Sequence, residues 1–122
     1  MTIDNIHKEL EEPFSLALFR LIGAKGLTDA QVYKRANIDR RLFSKIRTGN
    51  GYNPSKRTAL ALAVALELKP EDANSLLGKA GYQISKSQMS DLIVEKFIEC
   101  NQFDISKINE ALFRYNLKPL GR

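Results

Sequence analysis

The spacing of the apolar residues restricts the fold of this chain more than any other feature of its sequence. These residues recur every three or four positions, as in Phe14, Leu18, Leu21 and Ile22, which would form one stripe on a helix. No segment keeps the alternation of apolar and polar residues that a half-buried strand requires. The sequence therefore predicts an all-α fold of five compact helices followed by a two-helix extension.

Proline, glycine and capping residues predict where the first helices begin and end. The first helix begins near Pro13, whose fixed φ suits a first helical turn. Thr28 and Gln31 match a capping box at the start of the second helix, in which each side chain bonds the backbone N–H of the other residue. Asp39 can cap the third helix, which is expected to stop at Gly49.

Four further helices are predicted in the second half of the chain. Residues 55–68, SKRTALALAVALEL, are expected to form the most buried helix. Pro70 opens a fifth helix that ends at Gly78 or Gly81, and residues 116–122 are expected to be a short tail. The sixth and seventh helices are predicted from two apolar stripes, which are Leu92, Ile93, Phe97 and Ile98, and then Ile105, Ile108, Leu112 and Tyr115.

Length and composition suit one compact domain, or a small domain with an extension. Of the 122 residues, 43% are hydrophobic and 27% are charged, which argues against disorder. No apolar run approaches the roughly 20 residues of a membrane-spanning helix, and the first residues lack the pattern of a signal peptide. We therefore expect a soluble, cytoplasmic protein. Cys100 is the only cysteine, so no intramolecular disulfide can form, and we expect it to pack at a helix end.

Positive charge is concentrated in one part of the chain. The net charge is +5, but residues 1–13 hold one lysine against four acids. Residues 14–60 hold ten Lys and Arg against two Asp, whereas residues 61–122 hold eight charges of each sign. Such asymmetry favours a polyanionic partner, most often nucleic acid. The alternative at this point is a solvated basic face.

No combination of residues predicts a catalytic site, a metal site or a cofactor. His7 is the only histidine and lies in the acidic leader, so neither a metal site nor a histidine-based triad has partners nearby. The loop Gly49-Asn50-Gly51 lacks the preceding strand and the GK[ST] ending of a phosphate-binding loop. We therefore expect a protein that is not an enzyme.

The segment from Leu27 to Leu77 resembles the lambda-repressor-like helix-turn-helix domain of the Xre/Cro regulators. Its first part, LTDAQVYKRANIDRRLFSKIRTG, has the rhythm of two short helices joined by a tight corner. The resemblance implies a helix-turn-helix domain over residues 14–81, with a leader at 1–13 and a helical extension at 82–122. It depends on a loop containing Pro54, on the continuation AVALELKPEDANSLL and on shared apolar and glycine positions, which are Val32, Ala36, Ile38, Phe43, Ile46 and Gly49.

The resemblance implies a sequence-specific regulator of transcription that binds double-stranded DNA, either a repressor or an antitoxin-type autoregulator. The recognition helix, residues 39–47, would lie in the major groove. Arginine can contact guanine through two hydrogen bonds, which makes Arg40 and Arg41 the leading candidates for base contact, together with Ser44. The residues expected to contact DNA phosphates are Thr28, Lys45, Arg47, Asn50, Tyr52 and Lys56.

Four residues depart from the family pattern. Tyr33 occupies a position that is usually small, so its ring would either push the two helices apart or swing toward solvent or the preceding loop. Asn37 replaces the corner glycine but tolerates a positive φ. Asp29 stands where the family often has a phosphate-contacting glutamine, and Asp39 adds negative charge near the reading end of the third helix. These departures favour an alternative function, a protein-interaction module that keeps the fold without binding specific DNA. Sequence-independent binding of DNA or RNA is a third possibility.

The extension, residues 82–122, allows several partners. Regulators of this kind usually act as homodimers on paired half-sites, and the extension would supply the dimer surface. Alternatively its helices fold back and cap the five-helix core, or dock another protein. The extension is too short for a sizeable ligand-binding domain, and no membrane partner is expected.

Overall fold

The computed structural model describes residues 1–49 and 51–121, and the regular secondary structure of this part of the chain consists of helices, without a strand. The all-α prediction is therefore confirmed. None of the described helices is long and apolar enough to cross a membrane. A short 3₁₀ turn over Ile6–Lys8 precedes seven α-helices: α1 (Phe14–Ala24), α2 (Asp29–Arg35), α3 (Arg40–Thr48), α4 (Lys56–Ala65), α5 (Pro70–Lys79), α6 (Met89–Glu99) and α7 (Ile105–Arg114).

The predicted caps of α2 and α3 are confirmed. Thr28 Oγ1 accepts the Gln31 N–H at 3.1 Å, and Gln31 Oε1 accepts the Thr28 N–H at 2.8 Å, which completes the capping box. The Asp39 carboxylate accepts the Arg41 N–H at 3.3 Å. Between the two helices, Asn37 adopts a φ of 56°, the left-handed conformation that Asn tolerates better than most residues. These local bonds fix where both helices begin and how the corner between them turns.

The centre of the protein is α4. Every residue from Thr58 to Leu66 is buried, as the apolar sequence of this segment predicts. Helices α2, α5 and α7 pack against α4. Each fully buried Leu or Val side chain contributes about 1.5–3 kcal/mol to the stability of the fold, so α4 supplies a large share of the stabilising burial.

Helices α6 and α7 fold back onto this core. Val94 and Ile98 of α6, and Ile108 and Leu112 of α7, belong to the same buried cluster as the residues of α1–α5. The predicted α7 stripe was wrong at its last position, because α7 ends at Arg114 and the following Tyr115 is 59% exposed.

The buried face of α6 lies part of a turn away from the predicted apolar stripe, with which it shares only Ile98. Leu92, Ile93 and Phe97 are only partly buried, and the fully buried positions are Asp91, Val94 and Ile98. The reason is an ion pair that brings a charged residue into the core. The Asp91 carboxylate is 2% exposed, and its Oδ2 accepts hydrogen bonds from Lys56 Nζ and from the Ser85 N–H at 2.8 Å. A buried charge is tolerated only when it is paired and hydrogen-bonded in this way. The pair joins the first turn of α6 to the first turn of α4.

The predicted short tail is packed against the core as far as the structure describes it, up to Gly121. Leu120 is 1% exposed, and Asn109 of α7 holds its backbone: Oδ1 accepts the Leu120 N–H at 2.7 Å and Nδ2 donates to the Leu120 carbonyl at 3.3 Å. Gly121, with a φ of 83°, lies against the α2–α3 corner. A Cβ atom at this position would lie 2.6 Å from the carbonyl oxygens of Ala36 and Asn37. The tail therefore links α7 to that corner.

Replacing Lys56 by methionine tests the buried ion pair. The substitution Lys56→Met leaves the Asp91 carboxylate buried without its counter-charge, and we expect it to lower the free energy of unfolding by about 3–5 kcal/mol. Urea denaturation measures this loss. The double variant Lys56→Met/Asp91→Leu should regain most of the stability, because no charge is then left in the core. A loss below about 1 kcal/mol in the single variant would contradict the role assigned to the pair.

The tail contact is tested by Gly121→Ala, with Gly26→Ala as its matched control. Both glycines have a positive φ, but a Cβ at position 26 would meet no atom within 4 Å. Gly26→Ala should therefore show only the backbone strain of about 1–2 kcal/mol. Gly121→Ala adds a clash with two backbone carbonyls and should cost at least about 1 kcal/mol more in urea denaturation. Equal losses of stability in the two variants would mean that the carbonyls of the α2–α3 corner do not confine position 121.

Candidate nucleic-acid interface

The exposed side of α3 carries three cations that form no ion pair within the described residues. Phe43 and Ile46 face the core, and the helical repeat places Arg40, Arg41, Ser44 and Lys45 on the opposite side, where all four are exposed. We call these four residues the α3 ridge. Within residues 1–49 and 51–121, no carboxylate forms an ion pair with Arg40, Arg41 or Lys45. The α3 ridge thus presents three positive charges to solvent.

The two acidic residues near α3 are both engaged. Asp39 accepts a backbone N–H as the cap of α3, which is the explanation that the sequence suggested. Asp29 accepts a hydrogen bond from Arg47, with 2.7 Å between Asp29 Oδ2 and Arg47 Nη1. A negative charge in this region is therefore placed where it stabilises the protein's own groups.

Tyr33 lies over Phe43. The two ring centroids are 5.6 Å apart with the rings tilted by 53°, and Tyr33 is half-buried. Phe19 of α1 makes an edge contact with the same Phe43, also at 5.6 Å. Val32 and Ala36 remain fully buried on the core side of α2. Tyr33 therefore extends an aromatic cluster at the edge of the core and leaves the α3 ridge uncovered.

Three of the residues predicted to contact phosphates are exposed near the α3 ridge. Lys45 belongs to the ridge itself, and Tyr52 follows α3 in the loop with 41% of its surface exposed. Thr28 is exposed at the start of α2, where its hydroxyl also serves the capping box. Asn50 lies outside the residues that the structure describes.

Lys56 is turned toward the extension and not toward the α3 ridge. Its ammonium group donates to the buried carboxylate of Asp91, and only 26% of its side chain is exposed. The two partners are 35 positions apart in the sequence, so no local pattern indicates that this lysine is already paired. The predicted phosphate contact of Lys56 would require the pair to open.

Arg47 is held on two sides. Its guanidinium pairs with Asp29 and also lies over the ring of Phe19, with the guanidinium carbon 4.5 Å from the ring centroid. The side chains of Arg47 and Asp29 remain 56% and 41% exposed. Sequence reasoning missed this arrangement because its three members come from α1, α2 and α3. Opposite charges 18 positions apart carry no helical or strand signal.

The acidic leader, residues 1–13, is tied to α1 and α5. Glu11 pairs with Lys79 of α5 at 2.7 Å, and Glu12 pairs with Arg20 of α1. Two effects of Lys79 lower the pKa of Glu11 below its ordinary value: its hydrogen bond, which is the larger, and its positive charge. The hydrogen bond from Arg20 lowers the pKa of Glu12, and in turn Glu12 raises the pKa of Arg20. Both carboxylates are paired with cations of α1 and α5.

The described residues contain no group of three or more His, Cys, Asp and Glu side chains that would hold a metal ion. Comparisons of the chain with protein-family models, with curated proteins and with solved structures each find no match. The α3 ridge and its surroundings must therefore be interpreted from their own geometry.

The packing of Tyr33 leads to a stability prediction. Tyr33→Ala removes the ring from Phe43, and we expect a loss of about 1–2 kcal/mol, of which the aromatic contact contributes about 0.5–1.5 kcal/mol. Tyr33→Phe keeps the ring and should stay within about 0.5 kcal/mol of the original protein. Thermal and urea unfolding of the two variants give the comparison. An unchanged free energy of unfolding in Tyr33→Ala would show that the ring does not stabilise the α2–α3 pair.

Proposed function

We propose that this protein is a sequence-specific regulator of transcription that binds double-stranded DNA through α3. The observation that carries the proposal is the α3 ridge, where Arg40, Arg41 and Lys45 are exposed together and unpaired within the described part of the chain. In this proposal α1–α5 form a lambda-repressor-like helix-turn-helix domain, in which α2 and α3 are the helix pair and Asn37 forms the corner.

Bases would be read by the first turns of α3. Arg40 and Arg41 occupy the first two positions of this helix, and Ser44 follows one turn later on the same side. In a helix that enters the major groove, these are the positions that reach base edges. One bidentate contact between Arg and guanine discriminates against a wrong base by about 1–3 kcal/mol. The Asp39 cap makes this end of the helix well defined.

Phosphates would be contacted around the α3 ridge. Lys45, Thr28 and Tyr52 are exposed, and in this proposal they would contact phosphates and position α3 without selecting a sequence. Arg47 would join them only after leaving Asp29, and Lys56 only after leaving Asp91. Asn50 stays a candidate from its sequence position alone.

We propose further that the protein acts as a homodimer, either as a repressor or as an antitoxin-type autoregulator. Two exposed aromatic residues at the end of the extension support a contact surface there: Phe113 is 79% exposed and Tyr115 is 59% exposed. The inner sides of α6 and α7 are already buried against the core. A dimer surface would therefore use the outer side of the extension, so folding back and dimerisation are compatible.

A protein-interaction module is the second candidate function. The same exposed Phe113 and Tyr115 favour it, because aromatic residues are enriched where proteins contact each other. In that case a protein partner would occupy the outer side of α7, and the α3 ridge would bind DNA weakly or without sequence preference.

Fluorescence anisotropy with labelled duplexes tests the proposed function. One duplex carries DNA from around the protein's own gene, and the other is a scrambled sequence of equal composition, each at two salt concentrations. We expect preference for the native duplex and a loss of at least about 30-fold on that duplex in Arg40→Ala/Arg41→Ala, as two contacts of about 1–3 kcal/mol each imply.

The matched control for this experiment is Lys86→Ala/Lys107→Ala. It removes two exposed positive charges from the extension, so it changes the net charge equally without touching α3. The control should keep its preference for the native duplex. If both double variants weaken binding to both duplexes to the same extent, the protein is only a basic surface, since phosphate contacts alone carry no sequence information.

A further inference from the structure

The Asp29–Arg47 pair occupies a position that matters for a DNA-binding surface. It joins the first residue of α2 to the last turn of α3, next to Thr28 and behind the α3 ridge. The guanidinium is fixed between the Asp29 carboxylate, at 2.7 Å, and the face of the Phe19 ring, at 4.5 Å. Both charged side chains are about half exposed. The pair is therefore open to an anion from solvent.

The chemistry of the two possible partners of Arg47 is closely related. A carboxylate and a phosphate each offer two oxygens that accept parallel hydrogen bonds from a guanidinium. In the free protein the Asp29 carboxylate fills this place and cancels the charge of Arg47. A phosphate that binds Arg47 must displace the carboxylate or share the guanidinium with it, while Phe19 continues to support the other side of the group.

We propose that Asp29 is an internal competitor for DNA phosphate at Arg47. The proposal rests on the proposed function, because it assigns a regulating residue to the same surface. Arg47 then contributes its full charge to DNA binding only when a phosphate displaces Asp29 from it. Because phosphates are alike in every sequence, this competition lowers affinity for all duplexes equally and leaves discrimination to Arg40 and Arg41.

A two-by-two set of variants tests the competition: the original chain, Asp29→Asn, Arg47→Gln and the double variant, each titrated against the native and the scrambled duplex. Asp29→Asn removes both a negative charge and the competitor. In the Arg47→Gln chain, the same substitution removes only the negative charge. We therefore expect Asp29→Asn to raise affinity about two- to fivefold more in the original chain than in the Arg47→Gln chain, the range that a half-exposed ion pair supports.

Asp39→Asn is the matched control. It removes a carboxylate from the same side of the protein, and asparagine still caps a helix well. Asp39 forms no ion pair with Arg47, so any gain in affinity should be the same in the original and Arg47→Gln chains. Circular dichroism confirms that every variant is folded before it is titrated.

The outcomes separate this proposal from the proposed function. Equal gains from Asp29→Asn in both chains would overturn the competition and leave Asp29 as a fixed negative charge. Weaker binding by Asp29→Asn would also overturn it, because Asp29 would then be holding Arg47 in its productive position. If the native duplex is not preferred but the Arg47-dependent gain appears on both duplexes, the proposed sequence specificity fails and the competition stands. If neither duplex binds at low salt, both are overturned.

Discussion

The rest of the structure depends on the need to bury α4 on all sides. Its residues from Thr58 to Leu66 are apolar almost without interruption, apart from Thr58 itself, and none of them reaches solvent. A helix without a polar face cannot lie at a surface, so the neighbouring helices must enclose it. Helices α2, α5 and α7 do so, and α6 packs beside α7. The extension is therefore part of the core, and the Lys56–Asp91 pair and the Leu120 contact fasten it in place.

Ion pairing decides how much of the positive charge stays available at α3. The segment 14–60 carries a large excess of positive charge, but several of its cations are already engaged: Arg20 with Glu12, Arg47 with Asp29, and Lys56 with Asp91. The first two pairs are exposed and contribute little to stability. The Arg47–Asp29 pair neutralises one cation of α3, whereas the three cations of the α3 ridge form no ion pair within the described residues. The distribution of acids therefore matters as much for the electrostatic surface as the distribution of lysine and arginine.

Features governed by neighbouring residues were predictable from the sequence. The capping box of Thr28 and Gln31, the Asp39 cap and the left-handed Asn37 each depend on residues within a few positions, where the physical rules are local. The burial of α4 followed from its composition alone. The exposure of Arg40 and Arg41 followed from the apolar positions of the same helix.

The features that the sequence did not reveal all depend on contacts between distant segments. Hydrophobic periodicity treats an aspartate as an outward residue, so the burial of Asp91 against Lys56 could not be anticipated, and the stripe of α6 was misplaced as a result. The short tail was predicted without its contacts, because a single leucine gives no periodic signal. Leu120 is held by Asn109, and Gly121 lies against the α2–α3 corner. The same limitation concealed the partners of Arg47.

These distant contacts bear on how the proposed DNA binding would divide between affinity and specificity. Two of the six residues expected to contact phosphates, Arg47 and Lys56, are held by carboxylates of the protein itself. Phosphate contacts supply most of the affinity for DNA of any sequence, whereas the base-reading candidates on the α3 ridge are free. On the proposed function, such a surface would bind non-specific DNA weakly and would gain affinity mainly where Arg40 and Arg41 contact their bases. A single copy would then bind weakly even at its own site, and two copies on paired half-sites would provide the missing affinity through effective concentration. On this argument the outer side of the extension, with Phe113 and Tyr115, would carry the contact that makes the α3 ridge effective.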